Sequence, residues 1–211
     1  MMQTTNKLGF WSAALSAIFS VLWFITFNLK DVFNPIPGWH DTAAYAGAFS
    51  PTRMLYIYPS LLLALTFVVL MACIHRWTPE EKKVWSLIGL SLAIVYATMA
   101  SINYNVQAAA VGPSLANGET ADIAMLLPDN PHSVFTALAN SYVYMALAMV
   151  SAGFCFAGTT LRAWIRWLFW AQLLTAFGQV GWSMFGLSMG IFIATSLVWV
   201  IGAPIAFILL A

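Results

Sequence analysis

Residues 54–74 read MLYIYPSLLLALTFVVLMACI, with no Asp, Glu, Lys, Arg or His among them. At about 1.5 Å of rise per residue, a helix of that length crosses the roughly 30 Å hydrocarbon layer of a bilayer. Comparable apolar runs cover 8–29, 85–108, 133–157, 164–186 and 189–210. The sequence therefore predicts an all-α fold, an integral membrane six-helix bundle forming a single transmembrane domain over 1–211. Composition agrees: 62% of residues are hydrophobic and 7% charged, against roughly 45–50% and about 25% in soluble domains. The run from Leu8 to Leu29 exceeds the roughly 7–15-residue core of a signal peptide and lacks an A-x-A ending, so it reads as a retained first span.

Charge gives the expected orientation. Lys7, then Arg76, Lys82 and Lys83, then Arg162 and Arg166 fall at the N-terminus and in the second and fourth loops, while Lys30 and Arg53 fall on the other side. An excess of Lys and Arg marks the cytoplasmic side, which places the N-terminus and, after six crossings, the C-terminus inside. A net charge of +1 offers no basic surface for nucleic acid, which is excluded as a partner. Cys73 and Cys155 sit in apolar runs without CxxC or CxxCH spacing and read as small buried residues.

Local punctuation sets the connections. Thr78, Pro79 and Glu81 are spaced to cap and start the third span. The first outer loop, with three prolines, two glycines and several aromatics, predicts a packed irregular cap. In the second, Asn117-Gly118 turns the chain, a short surface helix is expected over 120–127, and Asn130-Pro131 or Ser133 starts the fourth span. Pro59 and Pro204 are expected to kink their helices.

Polar residues inside the spans carry the functional reading. Asn103 and Gln107 share a face of the third span at i, i+4 spacing, whereas Asn105 points the other way with Ser101 and Thr98. Ser133, Thr136, Asn140, Tyr144 and Ser151 form a stripe on the fourth span, and Gln172, Thr175, Gln179, Trp182 and Gly186 one on the fifth. By helical rise, Gln179 lies about 20 Å outward from Arg166, Asn140 about 10 Å in from Ser133, and Asn103 about 27 Å beyond Trp85. Such stripes either bond helices together or line an outward-facing polar, aromatic chamber between spans three, four and five. Asn103, Gln107, Asn140, Tyr144, Gln179 and Trp182 are its candidate ligand-binding residues.

The spans lack ionisable groups away from their ends, which argues against a proton pump or a carrier of charged substrates. His40, His75 and His132 are not placed to clamp a haem in a bundle. His40, Asp41, Glu119, Asp122, Asp129 and His132 are the chemistry-capable outer groups, but "WHD" and "NPHS" lack metal-ligand spacing. No metal or cofactor is expected; His132 and Glu119 are the candidate acid–base pair should the chain be an enzyme.

The stretch INYNVQAAAVGPSLANGETADIAMLLPDNPHSVFTALANSYVYMALAM resembles a group of uncharacterised bacterial multi-pass membrane proteins. The resemblance covers about residues 100–170 and rests most on Gly118, Glu119 and Thr120, and on Asn130, Pro131 and His132. It implies a bacterial cytoplasmic (inner) membrane location and no particular activity. The expected function is binding of a small, largely apolar molecule or a membrane lipid, with the outer loops as a lid. Alternatives are a structural or regulatory subunit of a membrane-protein complex, a lipid-modifying enzyme of the outer face, or a carrier for a neutral solute.

Overall fold

The computed structural model describes residues 2–33, 35 and 38–211; Asn34, Ile36 and Pro37 of the first outer loop lie outside the described residues. Of the chain, 82% is helical, with no strand among the described residues. Among the described residues, five helical stretches are long and apolar enough to cross a membrane: Thr5–Phe33, Pro51–Trp77, Glu80–Ala116, Val134–Gly153 and Met189–Leu210. This is the mark of a membrane protein.

The long helices are α1 (Met2–Phe33), α3 (Ile57–Trp77), α4 (Lys83–Val106), α7 (Ser141–Gly153), α8 (Thr160–Phe185) and α9 (Met189–Leu210). Short helices α2 (Thr42–Gly47), α5 (Gly112–Ala116) and α6 (Val134–Ala139) lie in the connections. Each long helix packs on its neighbour in sequence, and α9 returns to pack on α1, so the six form a closed ring in the order α1, α3, α4, α7, α8, α9. Small residues allow the close approaches. On α1, Ser12, Ala13, Ser16, Ala17 and Ser20 are buried, and Ser16 Oγ donates to Thr66 Oγ1 of α3 at 3.1 Å. Between α7 and α8, a methyl on Gly153 would come within 2.6 Å of the Trp170 ring. Between α8 and α9, a methyl on Gly178 would overlap Thr195.

Several local expectations change. Thr78 closes α3 instead of opening α4: its hydroxyl donates to the Ile74 carbonyl at 2.7 Å, and a 3₁₀ turn over Glu80–Lys82 leads into α4. Pro59 falls in the first turn of α3, where a missing N–H deprives the helix of nothing, so it has no kink to make there. Pro204 does lie inside α9. In the second outer loop the expected surface helix over 120–127 is a single 3₁₀ turn, Ala124–Leu126. Helix α4 runs on through a π turn, Gln107–Val111, into α5. Pro113 cannot donate to the carbonyl of Ala109, and the widened turn just before it accommodates that gap. The fourth expected span is interrupted at Asn140, where α6 gives way to α7. Ser133 caps α6 as expected, its hydroxyl accepting from the Thr136 N–H at 3.1 Å. Gly186 ends α8 in the left-handed conformation (φ 67°), and Leu187 N–H closes onto the Gly181 carbonyl at 2.9 Å.

The tight α8–α9 seam gives a direct test. Gly178→Ala forces a methyl into Thr195, whose own hydroxyl is held by the Ile191 and Phe192 carbonyls. It is expected to destabilise the protein in detergent by about 1–3 kcal/mol. Gly190→Ala, whose methyl comes no nearer than 4.0 Å to a neighbour, Ser188 Oγ, stays within about 0.5 kcal/mol. Thermal unfolding of the two variants side by side checks the difference.

Candidate functional site

The period of the helix sorts the amides as the sequence predicts. Asn103 and Gln107 are buried (3% and 1% exposed), whereas Asn105 is exposed and donates to the Ser101 carbonyl of its own helix at 2.8 Å. Asn103 Nδ2 donates to the Phe135 carbonyl of α6 at 3.4 Å. Gln107 Nε2 donates to the Leu126 carbonyl of the outer loop at 2.6 Å, while its Oε1 is buried without a partner. Asn140, at the break between α6 and α7, accepts at Oδ1 from Gln179 Nε2 (3.3 Å) and Ser183 Oγ (2.9 Å) of α8. Deeper on α8, Gln172 and Thr175 turn to the other neighbour and donate to the Val198 and Thr195 carbonyls of α9. Trp182 stacks on Phe192 of α9 with centroids 4.8 Å apart. Tyr144 is half-buried against the main core. Asn140 and Gln179 are thus brought together; Asn103, Gln107 and Trp182 each meet a different element.

The outer end is a packed cap. Tyr45, Val111, Leu115 and Leu127 are buried together, with Trp39, Phe49 and Met54 against them. One cation ties this cap to the bundle. Arg53 is 3% exposed; its Nη1 donates to the Lys30 carbonyl at 3.2 Å, and its Nη2 contacts Asp31 Oδ1 at 3.2 Å and Asp129 Oδ2 at 3.0 Å. Lys30 closes on Asp31 at 2.7 Å and lies over the Phe27 ring. Arg53, which looked like an exception to the charge asymmetry, therefore joins the end of α1 to a loop residue 76 positions beyond Arg53 itself. Burial, with Asp129 adding to it, pushes the Tyr45 hydroxyl up to about 12, against the pull of Arg53.

Asn130 of the NPHS element organises the second loop from a buried position. Its Nδ2 donates to the Ala124 carbonyl at 2.8 Å and its Oδ1 accepts from the His132 N–H at 3.0 Å. Glu119 and His132 are both exposed, and each is fixed through its backbone N–H, Glu119 to the Ser114 carbonyl at 2.8 Å. No cluster of three or more His, Cys, Asp or Glu side chains able to hold a metal occurs among the described residues.

The bundle centre holds a group that the sequence reading passes over. Tyr142 of α7 reaches across the ring to Trp23 of α1 (centroids 5.6 Å), Trp199 of α9 (5.4 Å) and Tyr96 of α4 (5.7 Å). Its hydroxyl is 3.0 Å from that of Tyr104. Around it, Trp23 Nε1, Tyr96 Oη and Trp199 Nε1 are buried without a hydrogen-bond partner; the Trp23 indole lies near the Tyr104 hydroxyl without closing a bond. Tyr142 and Trp23 keep some accessible surface, whereas Tyr96 and Trp199 are buried. One signal for it exists in the sequence: Ala93, Tyr96, Ala100, Asn103, Tyr104 and Gln107, all buried, recur at helical spacing along one face of α4. Trp23 and Trp199 also stand well inside their runs and not in an interfacial belt.

Two substitutions in the cap test this arrangement. Arg53→Met strands Asp129 and the Lys30 carbonyl, and is expected to cost about 3 kcal/mol or more in chemical unfolding. Removing exposed Lys7 changes stability by less than about 0.5 kcal/mol. Because Tyr45 titrates higher folded than unfolded, its contribution is complete below about pH 10 and is lost as pH rises through about 12. Tyr45→Phe is therefore expected to flatten the fall in stability over that window, measured by thermal unfolding against pH. Compared with known proteins, the chain matches no family model, no curated protein and no solved structure, so its chemistry is read from this geometry alone.

Proposed function

We propose that this is a six-span protein of the bacterial cytoplasmic membrane, both termini inside, that binds a small, largely apolar molecule or lipid in its aromatic centre beneath the outer cap. The sixth span of this reading is α8. Its 26 residues extend about 39 Å, it takes its place in the ring between α7 and α9, and its amide stripe, which lowers its hydropathy, is buried. Orientation is supported by the fate of the cations: Lys30 and Arg53 are buried and paired with Asp31 and Asp129, leaving the basic excess at the opposite end.

The trio Trp23 Nε1, Tyr96 Oη and Trp199 Nε1 carries the functional reading. A buried polar atom without a partner costs about 1–3 kcal/mol, and three around one tyrosine are hard to account for as packing alone. A guest with a carbonyl, ester or ether oxygen on an apolar body would accept from these donors, at most two to each oxygen, and the uncharged lining suits a neutral one. In this reading Asn103, Gln107, Asn140 and Gln179 hold the surrounding walls by hydrogen bonds, and the indoles and phenols read the guest's polar end. Tyr144 and Trp182 belong to those walls.

Tyr96→Phe separates binding from packing because it deletes one oxygen and keeps the ring. Wild-type protein in mild detergent is expected to carry a small molecule or lipid in native mass spectrometry, and the variant to carry markedly less. The emptied variant should equal the emptied wild type in stability or exceed it by about 1 kcal/mol, since an unpartnered buried hydroxyl is gone. Undiminished binding by the variant contradicts the reading. Isolation only as a heteromer without a small molecule turns it to a subunit of a membrane complex.

A further inference from the structure

At the basic end, the start of α1, the end of α3, the start of α8 and the end of α9 surround a cleft of about 330 Å³. Gly9, Leu70, Ile74 and Ile165 give it apolar walls, and Asn6 and Arg162 stand among its polar lining. Trp77 and Phe156 stack beside it with centroids 5.6 Å apart, and the Arg162 guanidinium lies 4.9 Å from the Trp77 ring centroid. A guanidinium over an indole face, unlike one closed on a carboxylate, can still offer N–H donors to an oxyanion. Among the described residues Arg162 has no carboxylate partner, in contrast with Arg53 at the other end. Lys7, Arg76, Lys82, Lys83 and Arg166 add to the positive field there, against Glu80, Glu81 and the carboxylate of Ala211, which lines the cleft without pairing with Arg162.

An apolar cleft with an unpaired guanidinium at the end of a membrane-crossing bundle matches one chemistry. We infer that the cleft binds an anionic phospholipid of the adjoining leaflet, its phosphate on Arg162 and Asn6 and the first part of an acyl chain along Leu70 and Ile74. The inference rests on the bundle crossing a membrane, and not on the central site or on which end is cytoplasmic. The field of the basic end gathers anionic lipid, the guanidinium selects phosphate, and the walls reject a free headgroup that brings no chain.

The test uses the delipidated full chain in dodecyl maltoside, titrated with phosphatidylglycerol and read by native mass spectrometry and by the shift in melting temperature. Phosphatidylglycerol is expected to bind at least about tenfold more tightly than phosphatidylcholine, and Arg162→Gln to weaken it about tenfold, the worth of one charge-assisted contact. Arg76→Gln, an exposed charge off the cleft, leaves it within about twofold, as expected of a charge that only adds to the field. Gly9→Leu keeps Arg162 and crowds the cleft; its Cβ meets Cys73 Cβ at an ordinary 3.6 Å, and a variant that retains the wild-type melting temperature without lipid is expected to lose binding as well. Equal binding of the two lipids, or equal losses in Arg162→Gln and Arg76→Gln, overturns the site. Competition by soluble glycerol phosphate also overturns it, by making it a phosphate site that needs no chain. Tyr96→Phe leaves this binding intact, so the two sites fail or stand separately.

Discussion

Hydrocarbon offers no partner to a polar side chain, and that constraint organises this bundle. Among the amides of the bundle, Asn105 is turned back on its own helix, and Asn103, Asn140, Gln172 and Gln179 are spent on a neighbouring element. The same pressure acts on charge. Arg53, almost fully buried, collects the Lys30 carbonyl, Asp31 and Asp129, and in doing so fastens the outer loops to the end of the first helix. Against such thorough pairing, the few buried polar atoms left over stand out, and three of them surround Tyr142.

The two ends of the molecule are chemically opposite. At one, cations are consumed by carboxylates and covered by a packed cap of Tyr45, Val111, Leu115 and Leu127. At the other, Arg162 and Arg166 lie on indole faces and an apolar cleft opens beside them. A guanidinium paired with a carboxylate is a structural clamp; one resting on tryptophan remains available to a phosphate. The difference in partners, more than the number of charges, assigns the two ends their separate roles.

Much of this was legible in the sequence because the signals are local. Apolar run length marked the helices, and the 3.6-residue period separated Asn105 from Asn103 and Gln107. Ser133 announced its own cap, and proline and glycine density foretold an irregular outer cap. What was hidden depends on contacts distant along the chain. Closure of α9 onto α1, the grip of Arg53 on Asp129 and the meeting of Trp23 with Trp199 all join segments with no mutual mark in the sequence. An amide stripe also announces that it needs partners without saying which: Gln172 chose α9 and Gln179 chose Asn140 although both lie on one face of α8. The helix break at Asn140 and the π turn before Pro113 follow from such choices and from a missing N–H.

The central claim is that the aromatic centre recognises a guest and does not merely fill space. An experimental density map of the protein purified without harsh delipidation tests it most directly. The account predicts non-protein density within hydrogen-bond reach of at least two of Trp23 Nε1, Tyr96 Oη and Trp199 Nε1. Rings packed onto one another there, with their N–H and O–H groups directed at neighbouring ring faces and no additional density, would contradict it.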